Sequence, residues 1–120
     1  MSVRIALDTS FIMFMVMRRI PMDRLYDLFD TKVEVYTGSC VIKELKKIAS
    51  SSSSKAPYAS IALKVIDAEK IEIERSNMRA DDWLLMQPMI ATVDIRLAKI
   101  ARNHGIRVIS VTKSNRLSVT

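Results

Sequence analysis

Acidic residues placed around predicted helix starts are the feature of this sequence that points most directly to chemistry. Three such positions lie at the starts of helices and are occupied by Asp8, by Asp81 with its neighbour Asp82, and by Asp94. A fourth, Glu44, lies inside a helix. Clustered carboxylates repel one another unless a cation neutralises them, and hard divalent cations such as Mg²⁺ and Mn²⁺ prefer oxygen ligands. A cation of this kind can activate water and stabilise charge on a phosphodiester.

Each of these acids also has an ordinary structural explanation. Asp is a favoured residue at helix N-caps, which accounts for Asp8 and Asp94. Acids in the first turn of a helix interact well with the helix dipole, which accounts for Asp81 and Asp82. Glu44 falls at the edge of the apolar face of its helix, away from the lysines of that helix. This placement favours a role for Glu44 in a functional site. The alternative is that Glu44 lies at the boundary of the buried face and pairs with a neighbouring side chain.

The composition excludes several other chemistries. With one cysteine, Cys40, and one histidine, His104, a disulfide scaffold and a Cys- or His-rich zinc site are excluded. Two glycines, Gly38 and Gly105, are too few for phosphate-binding loops. The longest apolar run, residues 11–17, is far shorter than the ~20 residues of a membrane span. A lone thiol fits a reducing compartment, so we predict a cytoplasmic protein that makes no contact with membranes.

Short apolar segments alternate with helical patterns along the 120 residues. Strands are predicted near residues 3–7, 33–37, 71–74, 89–92 and 107–111, with helices between them. This alternation predicts one α/β domain over residues 1–120, with a central parallel sheet covered on both faces. In such sheets, sites form beyond the carboxyl ends of the strands, near a topological switch point.

Three further segments of the chain carry specific predictions. The helix over residues 10–19 is apolar nearly all round, which predicts that it is buried. The serine run near residues 50–55 is predicted to be a flexible loop inside the domain rather than a linker between domains. From about residue 113 the chain forms a basic C-terminal tail.

The basic residues are distributed unevenly along the chain, whose formal net charge is +6. All 13 acidic residues lie at or before Asp94, whereas six of the 19 basic residues follow it. A local basic field suits a polyanion such as nucleic acid. Arg96, Lys99 and Arg102 are spaced three apart on one helix face, so they are candidates for contacts with RNA phosphates. An ordinary solvated helix face is the alternative interpretation.

The aromatic residues and the methionines each allow two interpretations. Tyr26, Tyr36, Tyr58 and Trp83 could stack on unpaired bases, but residues of this type more often lie in a core or an interface. The eight methionines fill gaps in the core or line the surface of a homodimer.

Ordered motifs give the sequence a resemblance to the PIN-domain family of nucleases. The motifs are Ile5-Ala6-Leu7-Asp8-Thr9-Ser10-Phe11-Ile12, Cys40-Val41-Ile42-Lys43-Glu44-Leu45, Ala80-Asp81-Asp82 and Ile90-Ala91-Thr92-Val93-Asp94. They span essentially the whole chain in the order of the family. The last two look most like the branch that processes small-subunit ribosomal RNA precursors, with its archaeal relatives. The VapC-type toxin nucleases are similar but more distant.

The resemblance implies a single PIN-like domain, a Rossmann-like α/β/α sandwich with an acidic pocket for Mg²⁺ or Mn²⁺. By matching position, the metal-binding and catalytic carboxylates are Asp8, Glu44, Asp81 and Asp94. Asp82 is the less favoured of its pair, because the Ala-Asp of the family matches Ala80-Asp81. Thr9 or Ser10 would support Asp8 or a metal water, and Thr92 would do similar work near Asp94.

The activity implied by the resemblance is metal-dependent endoribonuclease cleavage of single-stranded regions of precursor ribosomal RNA. A homodimer, a ribosome-assembly partner and an antitoxin-like partner are all compatible with it. Two departures from the close branch bear on activity: Arg96 stands where that branch usually carries a second acid, and the stretch from Asp82 to Thr92 is short. They support the alternative of a degenerate PIN module that binds RNA or a protein without cutting. A VapC-type toxin ribonuclease is the third interpretation.

Overall fold

Six strands form one sheet in the computed structural model, which describes residues 2–120 of the chain. The strands are β1 (Ser2–Leu7), β2 (Lys32–Gly38), β3 (Glu72–Glu74), β4 (Met89–Ala91), β5 (Arg107–Val111) and β6 (Leu117–Val119). Their order across the sheet is β3-β2-β1-β4-β5-β6. Neighbouring strands pair in parallel, except that β5 and β6 are antiparallel. The predicted α/β fold with a central parallel sheet is therefore confirmed, with an antiparallel strand at one edge.

The helices occupy the connections between the parallel strands. They are α1 (Thr9–Arg18), α2 (Asp23–Tyr26), α3 (Ser39–Ala49), α4 (Ala56–Ala68), α5 (Ala80–Leu84) and α6 (Ile95–Asn103). Helix α5 has only 5 residues. No helix within residues 2–120 combines the length and the apolar character that crossing a membrane requires.

The strand order creates a switch point beside β1. From β1 the chain moves outward to β2 and β3, and then returns to β4 on the other side of β1. Since parallel crossovers are right-handed, the two directions put helices on opposite faces of the sheet, which gives an α/β/α sandwich. Leu7 lies opposite Ala91 at the carboxyl ends of β1 and β4. Open α/β sheets bind ligands at this kind of position.

The centre of the core is the second half of β1. Ile5, Ala6 and Leu7 are fully buried. A strand that is covered on both faces loses its polar positions, which explains the continuous apolar run in this part of the sequence.

Helix α1 departs from its prediction as a fully buried helix. Phe11, Ile12 and Met15 enter the core, but Phe14 is only partly buried and Met17 keeps 43% of its surface exposed. The core therefore covers only part of this apolar helix, and the remaining apolar side chains stay at the surface.

The C-terminal segment is more ordered than a tail. Residues after Lys113 complete a hairpin in which Ser110 of β5 lies opposite Ser118 of β6. Asn115 adopts a left-handed conformation, with φ at 62°, in the connection between the two strands. Asn tolerates this conformation better than most residues do, which suits it to a tight turn. The basic residues of this segment are thus held near the edge of the sheet.

Candidate active site

Asp8 lies at the end of β1 with only 5% of its surface exposed. Although it occupies the N-cap position of α1, its side chain makes no capping hydrogen bond. Its Oδ2 instead accepts hydrogen bonds from Ser10 Oγ at 2.7 Å and from Thr92 Oγ1 at 2.6 Å. The structure therefore does not support helix capping as the reason for this acid, and the two hydroxyls hold its carboxylate in one orientation.

The same hydroxyls join the ends of β1 and β4. Thr92, which is fully buried, accepts a hydrogen bond from the backbone N–H of Asp94 at 3.1 Å. Ser10 Oγ accepts one from the backbone N–H of Val93 at 3.2 Å. Thr92 Oγ1 thus bridges Asp8 and the residue that begins the next helix. The expected support of Asp8 and Asp94 by Ser10 and Thr92 corresponds to these contacts.

Removing the Thr92 hydroxyl should destabilise the fold even when the shape of the side chain is kept. In Thr92→Val, the N–H of Asp94 loses its acceptor and the buried carboxylate of Asp8 loses a donor. We expect a loss of about 1–3 kcal/mol in the free energy of unfolding, the usual cost of unsatisfied buried polar groups. Urea denaturation at pH 7 measures it. Thr92→Ser, which keeps the hydroxyl, should lose less, and a valine variant as stable as the parent would contradict the bridging role.

Glu44 reaches the site from α3. Its side chain is exposed, and its Oε1 accepts a hydrogen bond from Thr9 Oγ1 at 2.6 Å. The Thr9 hydroxyl therefore supports Glu44, while the backbone of Thr9 interacts with the carboxylate of Asp8. The prediction that Glu44 lies away from the lysines of its helix was wrong. Lys47, three residues further along α3, lines the same cleft as Glu44. Residues three apart are neighbours on a helix surface.

Asp94 is the N-cap of α6 by geometry as well as by position. Its Oδ1 accepts hydrogen bonds from the backbone N–H groups of Arg96 at 3.0 Å and Leu97 at 3.2 Å. The capping interpretation is confirmed for this residue. Capping does not exclude a second role, since Asp94 also lines the cleft that contains Asp8.

Asp81 and Asp82 lie in the first turn of α5, and they differ in what they face. Asp81 lines the cleft with Asp8, whereas Asp82 is exposed outside that lining. The charge of Asp81 is also felt at Asp8. Burial raises the pKa of the Asp8 carboxyl above its usual value, the Ser10 and Thr92 hydrogen bonds oppose this change, and the negative charge of Asp81 adds to it.

One cleft of 660 Å³ thus receives all four of the preferred acids from four different parts of the chain. Its lining also contains residues that the sequence did not single out: Met13, Phe14, Met17, Lys47, Ile48, Lys55 and Val93. Lys47 carried a signal, its spacing from Glu44. Lys55 carried none, because it lies at the end of the serine-rich segment between α3 and α4.

The donor atoms of these side chains suit a divalent metal, but the side chains are not gathered around one point. The donors are carboxylate and hydroxyl oxygens, the ligands that Mg²⁺ and Mn²⁺ prefer. The raised pKa of Asp8 reflects a buried acid near another negative charge, which a cation would relieve. Within residues 2–120, however, His, Cys, Asp and Glu side chains form no group of three or more that could hold a metal ion.

The basic helix α6 keeps its charges in solvent. Arg96, Lys99 and Arg102 are exposed, and Arg102 Nε donates a hydrogen bond to Thr120 Oγ1 at 2.8 Å. A second cleft of 400 Å³ adjoins the first through Glu44, Lys47 and Asp81. Lys43 and Arg79 add to its lining, so basic residues border the acids on the α3 side of the site as well.

Two of the aromatic residues considered for stacking belong to the core. Tyr36 and Trp83 are buried and meet edge to face, with ring centroids 5.9 Å apart. Tyr58 is exposed on α4 and does not line the large cleft.

The same architecture occurs in solved structures. The PIN domain endonuclease Utp24 matches with a TM-score of 0.80, and the match covers 97% of this chain and 90% of that one at 24% sequence identity. The chain has the PIN-domain fold. A domain of a functionally unknown protein from Methanocaldococcus jannaschii DSM 2661 shares it, with a TM-score of 0.67, 14% identity and coverage of 92% and 91%. No protein-family model matches the sequence, and no curated protein does.

The fold predicted from the ordered motifs is thereby confirmed. At these identities the likeness establishes the architecture alone.

Proposed function

We propose that this PIN-fold chain is a Mg²⁺- or Mn²⁺-dependent endoribonuclease that hydrolyses phosphodiester bonds in single-stranded RNA. The observation that carries the proposal is that Asp8, Glu44, Asp81 and Asp94 line one cleft at the switch point of the sheet. Utp24, which shares the fold, is an endonuclease. The proposal that the substrate is precursor ribosomal RNA rests on the sequence motifs. The proposal that the protein is cytoplasmic rests on its lone thiol.

The carboxylates of the four acids would supply the ligands of the metal, and they would have to move closer together to do so, because within residues 2–120 they form no ready metal-binding group. A bound divalent cation would lower the pKa of a coordinated water, and it would stabilise the negative charge that develops at phosphorus. The remaining work belongs to the chain itself. Ser10 and Thr92 orient the carboxylate of Asp8, and Thr9 orients that of Glu44. Each hydroxyl donates to the carboxylate and so favours its charged form, which is the form that binds a cation.

The basic residues around the acids would position the RNA backbone. Lys47 lines the acidic cleft, and Lys43 and Arg79 line the adjoining one. Arg96, Lys99 and Arg102 on α6 are the second candidate set, and all three are exposed on the helix that Asp94 caps. Such contacts fix a strand in place without reading its sequence, and they make affinity fall as salt rises.

The decisive experiment compares cleavage of a labelled single-stranded RNA with Mn²⁺, with Mg²⁺ and with EDTA. The wild-type chain should cut with metal and not with EDTA. Asp94→Asn should lower the rate by ~100-fold or more, a loss typical of removing a charged group that stabilises the transition state. Asn is as good an N-cap as Asp, so this variant should keep α6 intact.

The matched control is Asp82→Asn, which changes an exposed acid outside the cleft and should cut within about 2-fold of the wild-type rate. Equal activity of Asp94→Asn and the wild-type chain would show that the site is assigned wrongly. A wild-type chain that cuts no RNA with either metal would contradict the nuclease proposal.

A second candidate function is a PIN module that binds RNA without cutting it. Two observations favour it: the acids in residues 2–120 are not gathered into a metal-binding group, and Arg96 follows Asp94 closely. Titration with Mn²⁺ separates the two functions. Retained RNA binding with no Mn²⁺ binding at millimolar concentration supports the module, and Mn²⁺ binding that is lost in Asp94→Asn supports the nuclease.

A further inference from the structure

The acidic cleft has an apolar wall that the metal chemistry does not explain. Met13, Phe14 and Met17 of α1 and Ile48 of α3 line the same cleft as the acids. Single apolar residues at a surface are ordinary, but several that share one cleft mark a binding surface. The wall follows from the sequence of α1, whose apolar residues continue around the helix beyond what the core covers.

Phe14 is the aromatic residue of this wall. It is half-buried, and the guanidinium of Arg18 lies 4.9 Å from its ring centroid. An arginine over one face of an aromatic ring restrains the ring and adds an attractive cation–π interaction. Because Phe14 also lines the cleft, part of this restrained ring remains available to a ligand.

Two lysines complete the surroundings of the wall. Lys47 of α3 and Lys55, which precedes α4, line the cleft together with Phe14. Within residues 2–120, neither lysine forms an ion pair with an acid. On this side of the cleft, the apolar wall and the two unpaired lysines suit a ligand that has a flat apolar surface close to a negative charge.

We propose that the cleft binds one unpaired nucleotide of an RNA strand, with its base against Phe14 and Met17 and its phosphate near Lys47 and Lys55. The inference deepens the proposed function, on which it rests, by assigning a base subsite next to the acids. A base that is stacked and paired in a duplex cannot present its face to a side chain, so the subsite selects single strands. Contact with an aromatic ring tolerates every base, so little sequence preference follows.

The first test measures binding of a fluorescent single-stranded oligoribonucleotide at low salt in EDTA, where no cleavage competes. Phe14→Leu keeps an apolar side chain of similar size, and we expect affinity to fall about 5-fold or more, since base–aromatic stacking contributes at that level. Tyr58→Leu is the matched control, because Tyr58 is an exposed aromatic outside the cleft. Its affinity should stay within about 2-fold of wild type.

The second test replaces the RNA with an abasic strand of the same length, which keeps the sugar–phosphate backbone and lacks the bases. Wild type should bind this strand more weakly than RNA, and Phe14→Leu should cause no further loss. Lys55→Ala should weaken both strands equally and reduce the salt dependence by about one phosphate contact. Met17→Gln, at a side chain that is 43% exposed, repeats the test without disturbing the core should Phe14→Leu fail to fold.

Three results with the variants overturn the subsite: equal RNA affinity of Phe14→Leu and wild type, equal losses in Phe14→Leu and Tyr58→Leu, or equal losses of Phe14→Leu on RNA and on the abasic strand. Failure of wild type to bind RNA at ~100 µM, the weak end of non-specific binding, also overturns it. Binding is measured without metal. A chain that shows the expected binding but does not cut RNA would therefore contradict the nuclease proposal and leave the subsite standing.

Discussion

Replacing Asp8 with Asn is expected to raise the melting temperature of the metal-free chain at pH 7 and to remove metal-dependent RNA cleavage. The two effects have one cause. Asp8 is buried beside the charge of Asp81, and both burial and that charge raise its pKa. The folded chain must therefore hold an unfavourable negative charge at neutral pH, and an amide removes that charge. The amide oxygen can still accept the hydrogen bonds of Ser10 and Thr92.

The sign of the pH dependence follows from the direction of the pKa change. An acid whose pKa is higher in the folded chain than its ordinary value of 3.8 binds more protons when folded. Stability from this group is thus greatest below the ordinary pKa, and it falls as pH rises through the folded pKa. The other charged groups that line the cleft around Asp8 are Glu44, Lys47, Lys55, Asp81 and Asp94.

Melting curves of wild type and Asp8→Asn in EDTA from pH 3 to pH 7 measure this effect. The advantage of the variant should be small at the acid end and grow toward neutral pH, and each 1 kcal/mol corresponds to roughly 4 °C in a chain of this size. Asp82→Asn, which removes an exposed acid from the first turn of α5, should instead lose up to ~1 kcal/mol of dipole stabilisation. A variant at Asp8 that is less stable than wild type at pH 7 would contradict the account of its pKa.

The cleavage assay completes the prediction for Asp8. We expect the rate with Mn²⁺ to fall by ~1000-fold, because Asp8 is the most buried acid of the cleft and its carboxylate is held in one orientation by Ser10 and Thr92. A stabilised and inactive variant would identify Asp8 as a residue kept for function at a cost in stability, a pattern common at active sites. Active Asp8→Asn would remove this residue from the catalytic group.

The sequence predicts the fold because its local signals agree with one another. Apolar strands that end in Asp8 and near Asp94 fix which acids meet at the edge of the sheet, since parallel strands bring their carboxyl ends together. Strand β6 was not predictable in this way. Leu117 and Val119 are too few to form a strand pattern, and their pairing depends on a turn in which Asn115 takes a left-handed conformation.

The site was predictable at the level of residues and less so at the level of contacts. The hydrogen bond from Thr92 to Asp8 joins positions 84 residues apart, and the contact between the Ser10 and Thr92 hydroxyls joins positions 82 apart. Side-chain orientation decides both. Lys55 enters the cleft only because of the path that the serine-rich segment takes between α3 and α4. Local patterns carry no information about such long-range packing.

The second large effect is expected at Trp83, the residue that holds α5 against the sheet. Its side chain is 3% exposed, meets Tyr36 edge to face, and donates a hydrogen bond from Nε1 to Glu74 Oε1 at 3.2 Å. Gln87 strengthens the connection, because it accepts from the Tyr36 hydroxyl at 2.7 Å and donates to the backbone oxygen of Trp83 at 2.9 Å. A helix of 5 residues has little stability of its own, so this packing must hold α5 and Asp81 in place.

Trp83→Ala should therefore lose about 3–5 kcal/mol in the free energy of unfolding, the usual cost of emptying a buried aromatic site. Urea denaturation measures it, with Trp83→Phe as the control that keeps an aromatic ring but loses part of the buried ring system and the indole bond to Glu74, and should therefore lose less than Trp83→Ala. Gly38→Ala tests the same packing from the other side, because a Cβ there would lie 2.9 Å from Cys40 Sγ and 3.0 Å from Trp83 Cδ2. We expect overpacking to cost about 1–3 kcal/mol.

The consequence for the site distinguishes positioning from simple loss of stability. If Trp83 places Asp81 beside Asp8, then Trp83→Phe should weaken Mn²⁺ binding at 25 °C, in the absence of urea, where the variant remains folded. Asp81→Asn should weaken it further, and the double variant should be no weaker than Asp81→Asn alone, because residues that act through one another are not additive. Additive losses in the double variant would mean that Trp83 stabilises the domain without positioning Asp81.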